Sequence, residues 1–565
     1  MLEGIERGVI RKRWRSRIPI AIVFPDSYAL GSSNLGFQTL YRLLNRKEAI
    51  AAERFFLPSP KGPYKRLRSV ESNRPLSDFP VILFSISFEL SYLNIPPILK
   101  VGGVPGDQEG RIHEGGPLVL AGGVACQINP EPIAPVMDAF ILGDLEAVSE
   151  KLSDFFIRTA EAFGLDAFRV GGGDRMELLG GLASDVEGVY LPHISHEASE
   201  GRAGSPPFSI KVPRVMAPPC PAPYSQVLSS RAAFPDTFLM EVGRGCGRGC
   251  RFCAAGFVYR PPRPWPKASL DEAISKMPGG IGKVGLVGLE FIGSRELEGL
   301  TQELLSRGLS IGFSSLRADA LTPDFVSLLK ASGSETATIA PEAGSQRLRD
   351  IINKHLAQEQ IIEAACMLAL GGIPNLKLYF MMGLPFEEDG DIEQLASLVG
   401  KISEATRPIG RGRGRLGQIT VSVGTFVPKA WTPFMFAPFC EPGVLKRRRR
   451  MLRRLLSPLP NIRLQLDSLP QAMAQAVLSR GDRRLYPGFV TSRLRGAGVR
   501  QALKELGMDA EKYLRGRGET EPFAWEVLDH GIKREFFLAE WRKAHKGRQS
   551  RSCDTAVCRK CGACS

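Results

Sequence analysis

Short apolar runs alternate along the chain with longer stretches in which apolar residues recur at helical spacing. Ile18-Pro-Ile-Ala-Ile-Val-Phe24 is apolar throughout and stops at Pro25-Asp26, which predicts a buried strand. Val81–Ser87, Leu118–Ala121 and Ala139–Leu142 read as further strands, and Asn34–Leu44 fits a helix. Strands alternating with helices imply a parallel sheet with helices on both faces, so residues 17–150 are expected to form a Rossmann-like α/β domain. Gly122-Gly123 and Gly143-Asp144 follow strand ends, where ligands of such sheets bind. Residues 1–16 read as a mobile basic leader. After a helix over Glu150–Phe163 the chain becomes rich in Gly and Pro, notably over Gly201–Pro223, so 151–231 is expected to be a linker wrapping between domains.

From about residue 232 the strand–helix rhythm resumes. Strands are expected at Phe238–Val242, Val284–Leu289, Ile311–Ser314, Thr336–Ala340, Leu376–Met382 and Thr420–Val427, with helices such as Ser345–Asn353 and Gln360–Leu370 between them. Six such units predict a partial (β/α)6 barrel over 232–470. Chemistry in barrels sits at the C-terminal strand ends, where Glu290, Arg317, Asp319, Glu342, Gly383 and Thr425 to Lys429 fall. Residues 471–565 read as a helical extension with a Cys-rich tail. It contains Leu478-Ser-Arg-Gly-Asp-Arg-Arg-Leu485, where Asp482 suits a helix cap, and Trp525–His545, apolar at helical spacing.

At 565 residues, with 43% hydrophobic and 24% charged positions, the composition is that of a folded protein of several domains. No export signal or membrane-length apolar run is visible, which points to the cytoplasm and no membrane partner. The net charge of +15 allows a polyanionic partner such as RNA, with basic patches at Arg7–Arg17, Arg411–Arg415 and Lys446–Arg454; a solvated basic surface is the plain alternative. The eleven cysteines fall into clusters of three and four plus Cys126, Cys220, Cys366 and Cys440, which are expected in the core. That clustering suggests metal rather than disulfides.

The first cluster is Cys246, Cys250 and Cys253, a C-x3-C-x2-C run in Gly243-Arg-Gly-Cys-Gly-Arg-Gly-Cys-Arg-Phe-Cys253 directly after a strand. Three thiolates on one tight loop can hold three irons of a [4Fe–4S] cube, leaving the fourth iron open to a substrate. Zinc would need a fourth ligand, and no further Cys or His lies close by. The loop glycines permit close wrapping. Arg244, Arg248 and Arg251 are expected to face the negative cluster, and Phe252 to shield Cys253.

This stretch resembles the signature of the radical S-adenosylmethionine (SAM) enzymes. There the open iron chelates the amino and carboxylate groups of SAM, and an electron from the cluster cleaves it to a 5′-deoxyadenosyl radical. Ser315-Leu-Arg-Ala-Asp319, Ala340-Pro-Glu-Ala-Gly-Ser-Gln-Arg-Leu-Arg349 and Leu378-Tyr-Phe-Met-Met-Gly-Leu-Pro385 are similar to stretches of a branch with a cobalamin-binding-like N-terminal domain. Pro25-Asp-Ser-Tyr-Ala-Leu-Gly31, Ser87-Phe-Glu-Leu-Ser-Tyr92, Asn129-Pro-Glu-Pro132 and Gly143-Asp-Leu-Glu146 extend the likeness to the first half. The resemblance implies that Glu290 stands near the SAM amino group, that Ser315 and Arg317 take its carboxylate, and that Glu342 takes the ribose or amino group; rim salt bridges are the alternative. It also implies an electron donor of flavodoxin or ferredoxin type. Tyr28 stands where the cobalt-ligating His of the cobalamin motif would be, so any bound cobalamin would lack a protein His. The implied reaction is functionalisation of an unreactive carbon of an unidentified RNA, protein or other substrate, by methylation if cobalamin takes part.

The second cluster, Cys553, Cys558, Cys561 and Cys564, meets the ligand count for zinc or for a second iron–sulfur cluster, with free thiols as the alternative. The Cys-rich tail and basic surface also suit a methylthiotransferase-like RNA modifier, although the usual N-terminal cysteines of that group are missing. A non-catalytic RNA- or protein-binding iron–sulfur protein is the reading from another class.

Overall fold

The computed structural model describes residues 5–57, 67–197, 209–214, 219–288, 295–490 and 499–564. Ile18–Phe24 (β1), Ile50–Phe56 (β2) and Val81–Ser85 (β3) are buried at every position, as parallel strands covered on both faces must be. With Leu118–Gly122 (β4), Ala139–Ile141 (β5) and Val189–Tyr190 (β6) they form a six-stranded sheet in the order β2-β1-β3-β4-β5-β6. All neighbours are parallel except β5 and β6.

Two expectations about this domain change. Its sheet does not end near residue 150: β6 pairs with β5, and Leu152, Phe155, Phe156, Leu179 and Leu182 share the core of Ile20 and Ile22. The linker is correspondingly shorter than 151–231. Nor are all of residues 1–16 a loose leader, because Glu6 is an internal counterion. The buried Arg54 guanidinium donates to Glu6 and Glu71, and Glu6–Arg7 pairs with Leu228–Ser229.

The second half is an open barrel of two parallel sheets. Thr237–Glu241 (β7), Lys283–Val287 (β8) and Ser310–Phe313 (β9) form one. Thr336–Glu342 (β10), Asn375–Met382 (β11), Ile419–Thr425 (β12) and Ile462–Leu466 (β13) form the other. A parallel bridge between Leu316 and Ile339 joins them. The strand β13 goes beyond the six expected. On β11, Leu376, Leu378, Phe380 and Met382 are buried while Lys377, Tyr379 and Met381 are half-buried, so one face packs against helices and the other is open. The extension 471–565 is helical as expected, with Leu469–Ser479 and Arg534–His545 its longest helices. No helix among the described residues is long and apolar enough to cross a membrane.

Candidate active site

The strand β7 delivers the cysteine loop to the barrel mouth. Gly245 (φ +86°) and Gly249 (φ +73°) lie in the left-handed region, and a Cβ on Gly245 would sit 2.5 Å from the Tyr259 carbonyl oxygen, so only glycine allows this wrap. Burial raises the Cys250 thiol above its ordinary range and pushes Cys253 up to about 11. Desolvated thiols of this kind want a cation or a metal to carry the thiolate charge. Lys354 and Arg317 already act on Cys250 in that sense, and Glu342 opposes them.

Two residues expected at the SAM site, Arg317 and Glu342, are thus gathered beside the thiols. Arg317 donates to Asp319, and Lys354 Nζ donates to Glu342 Oε1 at 3.1 Å. Burial works against the Lys354 charge, but Glu342 and Cys250 outweigh it and hold its pKa above the usual value. Glu342 has φ +67°, a left-handed conformation that costs on the order of 1–3 kcal/mol in a non-glycine residue, and it follows an irregularity in the strand register between Ile339 and Glu342. Ser315 is exposed just beyond β9. Glu290 lies outside the described residues.

Two of the loop arginines do not serve the cluster as expected. Arg244 donates to Asp144 at 2.9 Å, to both Glu146 oxygens at 3.0 Å and to Glu241 at 2.8 Å, while Arg263 donates to Asp144 at 2.6 Å. The Gly-Asp-Leu-Glu loop is therefore an anchor that ties the N-terminal sheet to the cysteine loop. Arg251 is fully buried and donates to Glu540 of the helix Arg534–His545 at 3.1 Å. Phe252 packs with Met381 and Trp541 on a small apolar cluster.

The other motifs of the N-terminal half form a seam with the extension. Glu89 accepts from Lys429, Gln475 and Ser479, and Asn129 donates to the backbone oxygens of Ser479 and Gly481. Glu131 accepts from Arg483 and Tyr190. Asp482 accepts the Arg484 N–H at 3.1 Å, the cap expected of it.

Between the sheet's strand ends and the barrel mouth lies a cavity of about 480 Å³, bounded by Asn34, Ser87, Gly123, Gln127, Arg244 and Ser314 among others. No His is among its lining residues, and Tyr28 is turned away to donate to Glu6 at 2.6 Å.

The basic patches are partly neutralised. Arg447 and Arg448 donate to Asp389, and Arg449 to Asp467; Lys446, Arg450, Arg453 and Arg454 are exposed. Of the scattered cysteines only Cys126 is buried; Cys220 is exposed, and Cys366 and Cys440 are half-buried. Among the described residues no three Cys, His, Asp or Glu side chains converge at the spacing of a single-ion site. A cube differs, since its thiolates bind separate irons. Lys354 carried no sequence signal, because only the fold brings it beside the Cys250 thiol.

The site is thus the mouth of an open parallel barrel whose first strand ends in three cysteines, with cations and a carboxylate beside them. Residues 36–192 match the N-terminal domain of radical SAM proteins and residues 240–399 match the radical SAM superfamily, and the chain belongs to that superfamily. It is accordingly an enzyme of [4Fe–4S] and SAM chemistry. The chain is 28% identical over 474 residues to an uncharacterized protein of Methanocaldococcus jannaschii, MJ0966, covering 82% of this chain and 89% of that one. The cobalamin-dependent SAM radical enzyme OxsB with aqua-cobalamin and SAM bound aligns over 94% of this chain and 79% of its own, with 14% identity and a TM-score of 0.48. The Escherichia coli coproporphyrinogen III oxidase HemN aligns over 39% and 52%, with 12% identity and a TM-score of 0.28.

Proposed function

We propose that Cys246, Cys250 and Cys253 hold the [4Fe–4S] cluster and that the enzyme removes a hydrogen atom from an unreactive carbon of a substrate lodged between the barrel mouth and the N-terminal sheet. The gathering of two desolvated thiols with Arg317, Glu342 and Lys354 at one mouth supports this reading most. When bound, cluster and SAM supply the 5′-deoxyadenosyl radical. The chain's own part is positioning: the Arg317 guanidinium suits a carboxylate, and Glu342, held by Lys354, suits an ammonium or hydroxyl group. Tyr379 and Met381, half-buried on the open face in the carboxyl half of β11, would orient the substrate carbon and keep bulk water from the radical.

The cavity at the sheet's strand ends supports a finer version in which a corrinoid without protein imidazole donates a methyl group to that carbon. The exposed stripe Lys446, Arg450, Arg453 and Arg454 supports a polyanionic substrate such as RNA. Reduced, anaerobically reconstituted protein should form 5′-deoxyadenosine from SAM, and C246A/C250A/C253A should form none and lose about four irons. Undiminished formation in the variant would remove the assignment.

A further inference from the structure

The segment carrying the four cysteines at 553–564, at least three hundred residues beyond the barrel's cysteines in sequence, meets that loop at its first cysteine. The Cys553 N–H donates to the Gly247 carbonyl oxygen at 2.6 Å, one residue from Cys246. Three anchors hold the segment in place. Arg251, within the loop, donates to the Arg548 carbonyl at 2.7 Å as well as to Glu540. The Ser550 N–H donates to Asn353 Oδ1 at 2.7 Å, and the Asn353 amide donates to the Arg248 and Gly249 carbonyls at 3.3 and 3.1 Å. The Lys533 N–H donates to the Cys561 carbonyl at 2.9 Å.

The four thiols share one neighbourhood. Arg260 and the thiols of Cys558, Cys561 and Cys564 all lie near enough to Cys553 to act on its charge, and Cys561 is buried. Arg260 also reaches the barrel loop, since a Cβ on Gly249 would lie 3.3 Å from its guanidinium. The segment therefore has two sides. One, at Cys553, meets the loop of Cys246, Cys250 and Cys253. The other is solvent-facing, with Arg551, Arg559, Lys560 and a 76% exposed Val557.

We propose that Cys553, Cys558, Cys561 and Cys564 hold a second iron–sulfur cluster and that this cluster is the port through which electrons reach the barrel. The proposal rests on the cluster reading of Cys246, Cys250 and Cys253. A low-potential iron–sulfur or flavin protein gives up one electron and is oxidised. The segment's cluster is reduced and then passes the electron across the Cys553–Gly247 contact to the barrel cluster, with no bond made or broken. Zinc cannot take this role because it has no redox chemistry. The exposed basic rim around Val557 suits an acidic donor with a small apolar patch at its redox centre.

The test compares two reductants on the full reconstituted chain. Dithionite is small and reaches the barrel cluster without docking; a reduced acidic flavodoxin must dock. The native protein should carry about eight irons and C553A/C558A/C561A/C564A about four. That variant should keep dithionite-driven 5′-deoxyadenosine formation and lose flavodoxin-driven formation. R559E/K560E, which leaves all thiols in place, should keep its full iron content, and its flavodoxin-driven rate should fall about tenfold at low salt while the dithionite rate stays. Loss of zinc rather than iron, no metal loss, an equal fall with both reductants, or a flavodoxin rate insensitive to R559E/K560E would each overturn the port. A native protein inactive even with dithionite would instead count against the barrel assignment, and the iron count would still decide the second cluster.

Discussion

The loops at the carboxyl ends of the N-terminal sheet and those at the barrel mouth occupy equivalent places in their folds, yet their polar groups have different fates. On the N-terminal side Glu89, Asn129, Glu131, Asp144 and Glu146 are all engaged by side chains or backbone of the barrel and the extension. At the barrel mouth Cys250 and Cys253 are desolvated thiols beside Lys354, Glu342 and Arg317. A strand-end loop marks where a ligand can bind, and its remaining bonding capacity indicates whether the residues there are ligand groups or joints. By that criterion the first set chiefly joins domains and the second is poised for chemistry.

Breaking a joint should cost stability and leave SAM cleavage per folded molecule unchanged. Glu131→Ala leaves the Arg483 guanidinium without its carboxylate in a buried seam and should lower unfolding free energy by about 3 kcal/mol. Urea denaturation measures the loss, and the same 5′-deoxyadenosine assay on the folded fraction should match wild type. A variant as stable as wild type but dead in cleavage would invert the comparison.

A smaller effect is expected with pH. His530 is buried, its Nε2 placed to donate to the Gln127 carbonyl at 2.7 Å, and burial together with Arg214 lowers its pKa to about 3. A folded-state pKa below the unfolded value of about 6.5 means that the unfolded chain binds the extra proton first. The neutral His therefore contributes fully above pH 6.5, and its contribution is lost as pH falls from there towards 3. Urea titrations between pH 7 and pH 5 should show this decline, and H530Q should flatten it. An unchanged slope would mean the ring is not held neutral.

The smallest change concerns the surface. If the stripe 446–454 meets RNA, log affinity should fall linearly with log salt at about −0.7 per phosphate contacted on a single strand, and K446E/R450E should flatten that line. A line equally steep in the variant would return these residues to solvated surface.

How far the sequence reveals this arrangement depends on where partners lie in the chain. The strands β1, β3 and β11 are legible because their apolar runs are uninterrupted or alternate cleanly. The strand β2 is hidden by Glu53 and Arg54, which are buried only because Glu6 and Glu71 from elsewhere neutralise Arg54, and Trp14 and Ser72 donate to Glu53. The strand β13 alternates too, but it is only five residues long and none of its apolar positions is fully buried, so its signal is weak. The cysteine loop is legible because its spacing is local. Its neighbour Lys354, and the partnership of Glu131 with Arg483 across 352 positions, become visible only once the chain is folded.

The most direct test of the account is electron paramagnetic resonance of the reduced, reconstituted protein before and after SAM is added. SAM should shift the signal of the barrel cluster in wild type and in E131A, because the cluster's open iron takes the SAM amino and carboxylate groups at the barrel mouth and not at the seam. C246A/C250A/C253A should show no SAM-dependent change. A wild-type spectrum indifferent to SAM, or a SAM-dependent shift that survives loss of all three thiols, would contradict it.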